Sequence, residues 1–208
     1  MSRSYKGIWT ELNNYVANDV VLHEYNYYIA LADNLNDAPP SDNWQIITVI
    51  DVIAYIIETA MNLSGRVVLY NQNYDLPKDK NLFCVIQYIN SESYSNTSKR
   101  TYLENSVKES LRLLTIENIR INFLSRNDEA RIRKNEFLSI LSSTFTEQQE
   151  EIYNIRIAKS ALNFVDVSEV EGDGMLNRFA IDIKINSWSA KDYDIDYFDN
   201  FSNNTIND

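Results

Sequence analysis

The chain has one cysteine, one histidine, four glycines and three prolines in 208 residues. The lone Cys84 excludes an intrachain disulfide and leaves no set of thiolates for a zinc or iron–sulfur site. It sits among apolar neighbours and reads as a small buried hydrophobe. The lone His23 excludes a His-rich metal site and strains any His-based triad. Scarce Gly and Pro argue against a loop-rich fold. Cationic residues are few as well: 19 Lys and Arg stand against 30 Asp and Glu, a formal charge of -11. That balance opposes wrapping nucleic acid on the outer surface, where affinity comes from Lys and Arg on phosphates. It is compatible with lining a passage from which DNA is repelled.

Long apolar runs are missing too. The longest, Ile46 to Met61, contains Asp51 and Glu58 and falls short of the ~20 residues of a membrane helix. No Lys/Arg-flanked apolar stretch opens the chain, so no secretory signal is expected and a reducing cytoplasm is the expected place of synthesis. No P-loop, dinucleotide-type glycine run or Gly-x-Ser-x-Gly elbow occurs. Asp192-x-Asp194-x-Asp196 resembles the start of a calcium loop, but Tyr197 stands where Gly is required and Asn203 where a bidentate acid is required. Asp166, Glu169 and Glu171 read as a solvated turn rather than an acid/base site. We expect no catalysis, no cofactor and no metal.

What is abundant is tyrosine, 14 residues, within a 44% hydrophobic composition that suffices for a real core. Tyr suits half-wet surfaces because its ring buries while its hydroxyl keeps a polar partner. Residues 1–40 show Trp9, Leu12, Val16 and Val20, then Tyr28, Leu31, Ala32 and Leu35, at helical spacing. They predict one or two short helices or an N-terminal arm, ended by Pro39-Pro40. A strong helix is predicted from Trp44 to Leu63, capped by Ser41 or Asp42, with Thr48, Asp51, Tyr55, Glu58 and Asn62 on one polar stripe and Gly65 beyond its end. Arg66–Tyr70 and Leu82–Ile89 read as strands, and Ser91–Arg100 as a polar loop. Tyr102–Leu114 fits either an irregular strand or a short helix. Thr115–Leu124 reads as a strand with Ile119, Ile121 and Phe123 inward.

Asn127-Asp128-Glu129 opens a helix whose apolar face is Phe137, Ile140, Leu141, Thr144 and Phe145. Arg131, Arg133 and Lys134 lie away from that face and, with Arg126, form a local basic cluster. It is either one solvated helix face that offsets nearby acids, or a salt-bridge surface between subunits or a basic spot at a pore. Ile155–Ala158 and Phe164–Val170 read as short strands, and Gly172-Asp173-Gly174 as a turn. Arg178–Trp188 alternates strictly, with Phe179, Ile181, Ile183 and Ile185 inward. Ser189 onward is an acidic aromatic tail. The fold class is α+β: a mostly antiparallel sheet with two packed helices, an N-terminal arm at 1–40, a domain at 41–190 and a C-terminal tail at 191–208.

Several stretches carry a likeness to a known family. One is the apolar helix ending Leu63-Ser64-Gly65, then Arg66-Val67-Val68-Leu69-Tyr70-Asn71-Gln72-Asn73 and, after Pro77, the strand Leu82–Tyr88. Another is Ile119–Arg126 leading into the helix Asn127–Phe145. The last is Val165-Asp166-Val167, the Gly172–Gly174 turn and the strand Arg178–Ile185 with its tail. In pattern and order, roughly residues 44–200 resemble bacteriophage neck and tail terminator proteins, the tail-completion or head–tail joining ring proteins.

The resemblance implies a virion subunit, made in the host cytoplasm, that forms a homo-oligomeric ring, usually of six, capping the tail and joining it to the head. Its neighbours would be portal, adaptor and tail proteins, with DNA passing through and no membrane involved. On that reading the contacts fall at Trp9 and Tyr15, at Asn73 and Tyr74 in the loop Asn71–Lys80, at Arg126, Arg131, Arg133 and Lys134, and at Tyr193, Tyr197 and Phe198. The alternatives are a twelve-subunit connector layer near the portal, a small carboxylate/Mg²⁺ enzyme, and a non-viral acidic binding module.

Overall fold

The computed structural model describes residues 3–70, 77–102, 107–160, 162–171 and 174–195. The architecture is α+β with a sheet-dominated core and, among the described residues, three helices.

The first unit is built of strands: β1 (Ser4–Ile8), β2 (Asn14–Tyr15), β3 (Asp19–His23), β4 (Asn26–Ala30), β5 (Asn34–Leu35) and β6 (Trp44–Ile46). One sheet has the order β1-β3-β4-β6, and β2 pairs β5 beside it. The helices expected in residues 1–40 are therefore corrected to β-structure. The helical spacing of Leu12 and Val16 is coincidental, because both are exposed, while Tyr15, Val21, Tyr28, Ala30 and Trp44 form the buried cluster. Asparagines that weaken a helix serve turns here: Asn18 and Asn36 take the left-handed region at φ 74° and 58°.

The strong helix, α1, runs Val49–Ala60 rather than from Trp44, since Trp44–Ile46 pairs with β4. Its cap is Thr48, not Ser41 or Asp42. The Asp51 amide donates to Thr48 Oγ1 (3.4 Å) and the Thr48 amide donates to Asp51 Oδ2 (2.8 Å), a reciprocal capping box. Val52, Ile53, Ile56 and Ile57 are buried, each worth about 1.5–3 kcal/mol of transfer free energy. Gly65 does hold positive φ (68°), though Asn62 takes it first, at 53°.

The second sheet holds β7 (Val67–Leu69), β8 (Phe83–Tyr102), β9 (Val107–Ser125), β10 (Ile155–Ile157), β11 (Val165–Asp166), β12 (Glu169–Glu171) and β13 (Gly174–Ile195). Its main order is β10-β13-β9-β8-β7, and β11 and β12 pair β13 on the edge that β10 also uses. All pairs are antiparallel except β7·β8. Cross-strand rows explain the core. Cys84, Phe123 and Phe179 form one row, Ile86, Ile121 and Ile181 the next, and Tyr88, Ile119 and Ile183 a third. Apart from Tyr88, these residues are buried against α1, α2 (Glu129–Leu141) and α3 (Thr144–Ile152). Burial drives the Cys84 thiol pKa far upward, which makes it unreactive.

The single helix expected over Asn127–Phe145 is two, because Ser143 Oγ accepts the Thr146 amide (3.2 Å) and restarts the chain as α3. Phe164–Val170 divides into β11 and β12. The turn residues Gly172 and Asp173 lie outside the described residues.

The first unit docks on the second through Tyr27, whose ring meets Tyr153 edge-on at 5.2 Å. Burial, with Tyr5 and Tyr153 adding smaller effects, pushes the Tyr27 hydroxyl pKa up to about 12. Arg3 adds a guanidinium 4.6 Å over Tyr55 and a donated bond to the Asp51 carbonyl (3.3 Å).

Two expectations change most in the second sheet. Ser91–Arg100 is not a loop but the outer part of β8, and Val107–Leu114 belongs to β9; residues 103–106 are outside the description. Lys191–Ile195, expected in the tail, continue β13, and residues 196–208 are outside the description.

Candidate functional site

Three strands run far beyond the helices. β8, β9 and β13 have 20, 19 and 22 residues, and β9 pairs with β13 without a break from Ser125↔Asn177 to Val107↔Ile195. At ~3.3 Å per residue, β8 continues about 50 Å past Ile86. This outer part is a three-stranded ribbon with β9 in the middle.

Its composition follows from being only partly covered, by the first unit at Tyr25. Side chains alternate between two faces, and most of them are exposed or half-buried. Leu111 and Leu113 lie on the face that continues the helix side; Leu114 and Ile116 lie on the other, beside Trp188. All four leucine and isoleucine side chains are half-buried, and Trp188 is 47% exposed. The flanking strands are polar. β8 supplies Ser91, Ser93, Ser95, Thr97 and Ser98, with register shifts between Tyr88 and Asn90 and between Ser93 and Ser95. β13 supplies Ser189, Lys191, Asp192 and Asp194.

Both long edges of the ribbon lack a strand partner among the described residues: β8 beyond its pairing with β7 at Val67–Leu69, and β13 beyond its pairing with β10 at Ile185–Ser187. Unpaired edges of this length template further pairing.

Ion pairs hold the tip. Lys108 Nζ lies 2.8 Å from Asp192 Oδ2, which also accepts from the Tyr25 hydroxyl (3.0 Å), and Arg100 Nε lies 3.1 Å from Glu109 Oε1. The Lys108 ammonium first, then hydrogen bonds from Ser110 and, more weakly, Tyr25, bring the Asp192 carboxyl down to about 2. An unfolded-state Asp titrates near ~3.9. The pair's stabilisation is therefore complete above that value and is lost as pH falls through about 2. A carbon-13 titration of the Asp192 carboxyl is expected to show a midpoint near 2, moving up toward 4 in Lys108→Met. An unchanged midpoint in that variant would show that Lys108 is not the cause.

On the face opposite the helices, Arg120 and Asp182 make a bidentate pair (2.7 and 2.8 Å), and Arg178 Nε donates to buried Asn122 (3.1 Å). These residues border an open hollow of about 400 Å³ with Asn163, Val165 and Val167. Among the described residues no group of three or more His, Cys, Asp or Glu side chains is placed to hold a metal ion. No helix among them is long and apolar enough to cross a membrane.

The residues singled out in the sequence are scattered. Tyr15 is 2% exposed and exchanges hydrogen bonds with the backbone of Thr10, so its ring belongs to the interior of the first unit. Trp9 packs edge-on against His23 at 5.3 Å. The basic cluster does not form one patch. Arg126 Nη1 donates to the Pro77 carbonyl (2.8 Å), and Lys134 Nζ sits 3.8 Å over the Phe179 ring. Arg133 reaches Glu136 (2.8 Å), Glu129 (3.1 Å) and the Met61 carbonyl (2.6 Å), tying α2 to the end of α1. Arg131 is exposed on α2.

Tyr193 is on the ribbon, 42% exposed, with Lys191 Nζ 5.0 Å over its ring. Asn73, Tyr74, Tyr197 and Phe198 lie outside the described residues. The ribbon's own residues, Leu111 to Ile116 and the two free edges, were not singled out. The signal for them was the near-equal length of the polar stretch before Tyr102 and the leucine-bearing stretch after it.

No protein-family model matches this chain, and no curated protein matches it.

Proposed function

We propose that this chain is a structural virion subunit that assembles into a ring at the neck–tail junction of a bacteriophage, caps the tail, joins it to the head and leaves a channel for DNA. The observation that carries this reading is the three-stranded ribbon. A three-stranded sheet with half-buried leucines on both faces and, among the described residues, no strand partner on either outer edge offers surfaces that a further sheet can cover. An acidic surface, -11 overall, suits a passage through which a polyanion slides. A ring needs two different patches per subunit that meet on rotation, and the ribbon's two dissimilar edges offer them.

Mass photometry of the purified protein at micromolar concentration, with averaged electron-microscopy images, tests this. A closed ring of six with a central opening is the expected result, and twelve copies would move the protein to the connector layer nearer the portal. A monomer at those concentrations would sink the assembly reading.

A further inference from the structure

We propose that neighbouring copies join edge to edge, the outer edge of β8 in one copy pairing with the outer edge of β13 in the next, so that the ribbons close into one continuous barrel around the axis. This rests on the ring reading and specifies its contact.

Strand direction permits it. β8 and β13 both run antiparallel to β9, so they point the same way. A rotation about an axis along the ribbon keeps that direction, and β8 therefore meets the next copy's β13 as a parallel pair. The subunit already uses a parallel pair on β8, with β7.

Rotation also keeps height. Lys99, Ser110 and Asp192 share one cross-strand row, and Thr101, Lys108 and Asp194 share the next row on the same face. Lys99 of one copy thus arrives on the same face as Asp192 and Asp194 of its neighbour, within the few-residue stagger that strand tilt introduces. On this face the β8 edge carries Lys99 and the β13 edge carries Asp194 beside Asp192, which is paired with Lys108 within its own subunit, so Lys99 and Asp194 favour β8 against β13 over β8 against β8.

The β13 edge is not sealed where it begins. The first unit reaches this flank at the Tyr25 hydroxyl, which donates to Asp192 (3.0 Å), while Leu22 and Tyr27 face Arg112, Trp188, Ser189 and Ala190 across an open hollow of about 380 Å³. The two register shifts on β8 bend that strand, as closure of a curved sheet requires. Six copies would contribute roughly eighteen strands, a size at which barrels keep a water-filled channel.

The test uses the full chain and three variants: Lys99→Glu, Asp194→Lys and the double exchange. Each single variant is expected to raise the concentration for half-assembly at least tenfold. The double variant should recover to within about threefold of the original protein. In parallel, amide exchange is compared between assembled protein and protein diluted to monomer. Added protection is expected over Tyr88–Thr101 and Trp188–Ile195. If the wild-type protein assembles but the single variants assemble equally well and protection appears elsewhere, edge pairing is wrong while the ring stands. A symmetric dimer protected on β8 alone would also overturn it. A wild-type protein that never assembles removes the ring reading itself.

Discussion

Phe123→Ala is expected to cost about 3–5 kcal/mol of stability. In a chain of this size that lowers the melting temperature by roughly 6–20 °C, read by calorimetry or circular dichroism. Phe123 is fully buried in the central strand of the second sheet. Its ring lies 5.4 Å from that of Phe137 on α2 and 5.7 Å from that of Phe164 on the segment leading to β11. In register it sits between Cys84 and Phe179. Removing it opens a void touched by both flanking strands, a helix and a connecting segment. None of these can move in without breaking its own pairing, so little of the void can collapse. Phe123→Leu keeps most of the volume and is expected to cost less than half as much. If the alanine variant loses under 1 kcal/mol, the helices are not anchored on this row.

Glu150→Ala is expected to cost about 2–4 kcal/mol by denaturant titration. Glu150 sits on α3 and is only 3% exposed. Its Oε1 accepts the amide of Ile157 at 2.6 Å, at the end of the short strand β10. Its Oε2 lies 3.3 Å from Lys159 Nζ and 3.7 Å from Arg156 Nη1. Alanine leaves a buried amide with no acceptor, and that loss exceeds the value of the two partly exposed cations. Glu150→Gln keeps an oxygen for Ile157 and is expected to cost only about 1 kcal/mol. Equal losses in the two variants would mean that the charge, not the amide bond, holds the helix to the strand.

The central part of the second sheet was legible because it has one dry face. Ile119, Ile121, Phe123, Phe179, Ile181, Ile183 and Ile185 alternate as a half-buried sheet must, and the structure buries all seven. The apolar helix was legible for the same reason, although its start was misplaced: Trp44 to Ile46 is as apolar as the helix and gives no sign of belonging to a different sheet.

The first unit was misread because its own buried set is Tyr15, Val21, Tyr28, Ala30 and Trp44, brought together by turns rather than by any single period. The ribbon was missed for a physical reason. Sequence patterning registers burial, and a sheet with water on both faces has no dry side to report. Its β8 strand is mostly Ser, Thr and Asn, the composition of a loop. Leu111 and Leu114, one helical turn apart, fall on opposite faces of a strand. With them went the candidate contact surface, so those expected contact residues that fall within the described residues are dispersed over the molecule.

The unbroken pairing of β9 with β13, from the core to the far end of the ribbon, has a mechanical consequence. A pull applied at the tip along the strands does not peel bonds one after another. It loads the whole ladder in shear, and the ladder includes the rows clamped under α2. A tug on the projecting end is thus felt directly at Phe123 and Phe179, and the subunit resists it as a single stiff lever rather than as a body with a loose appendage.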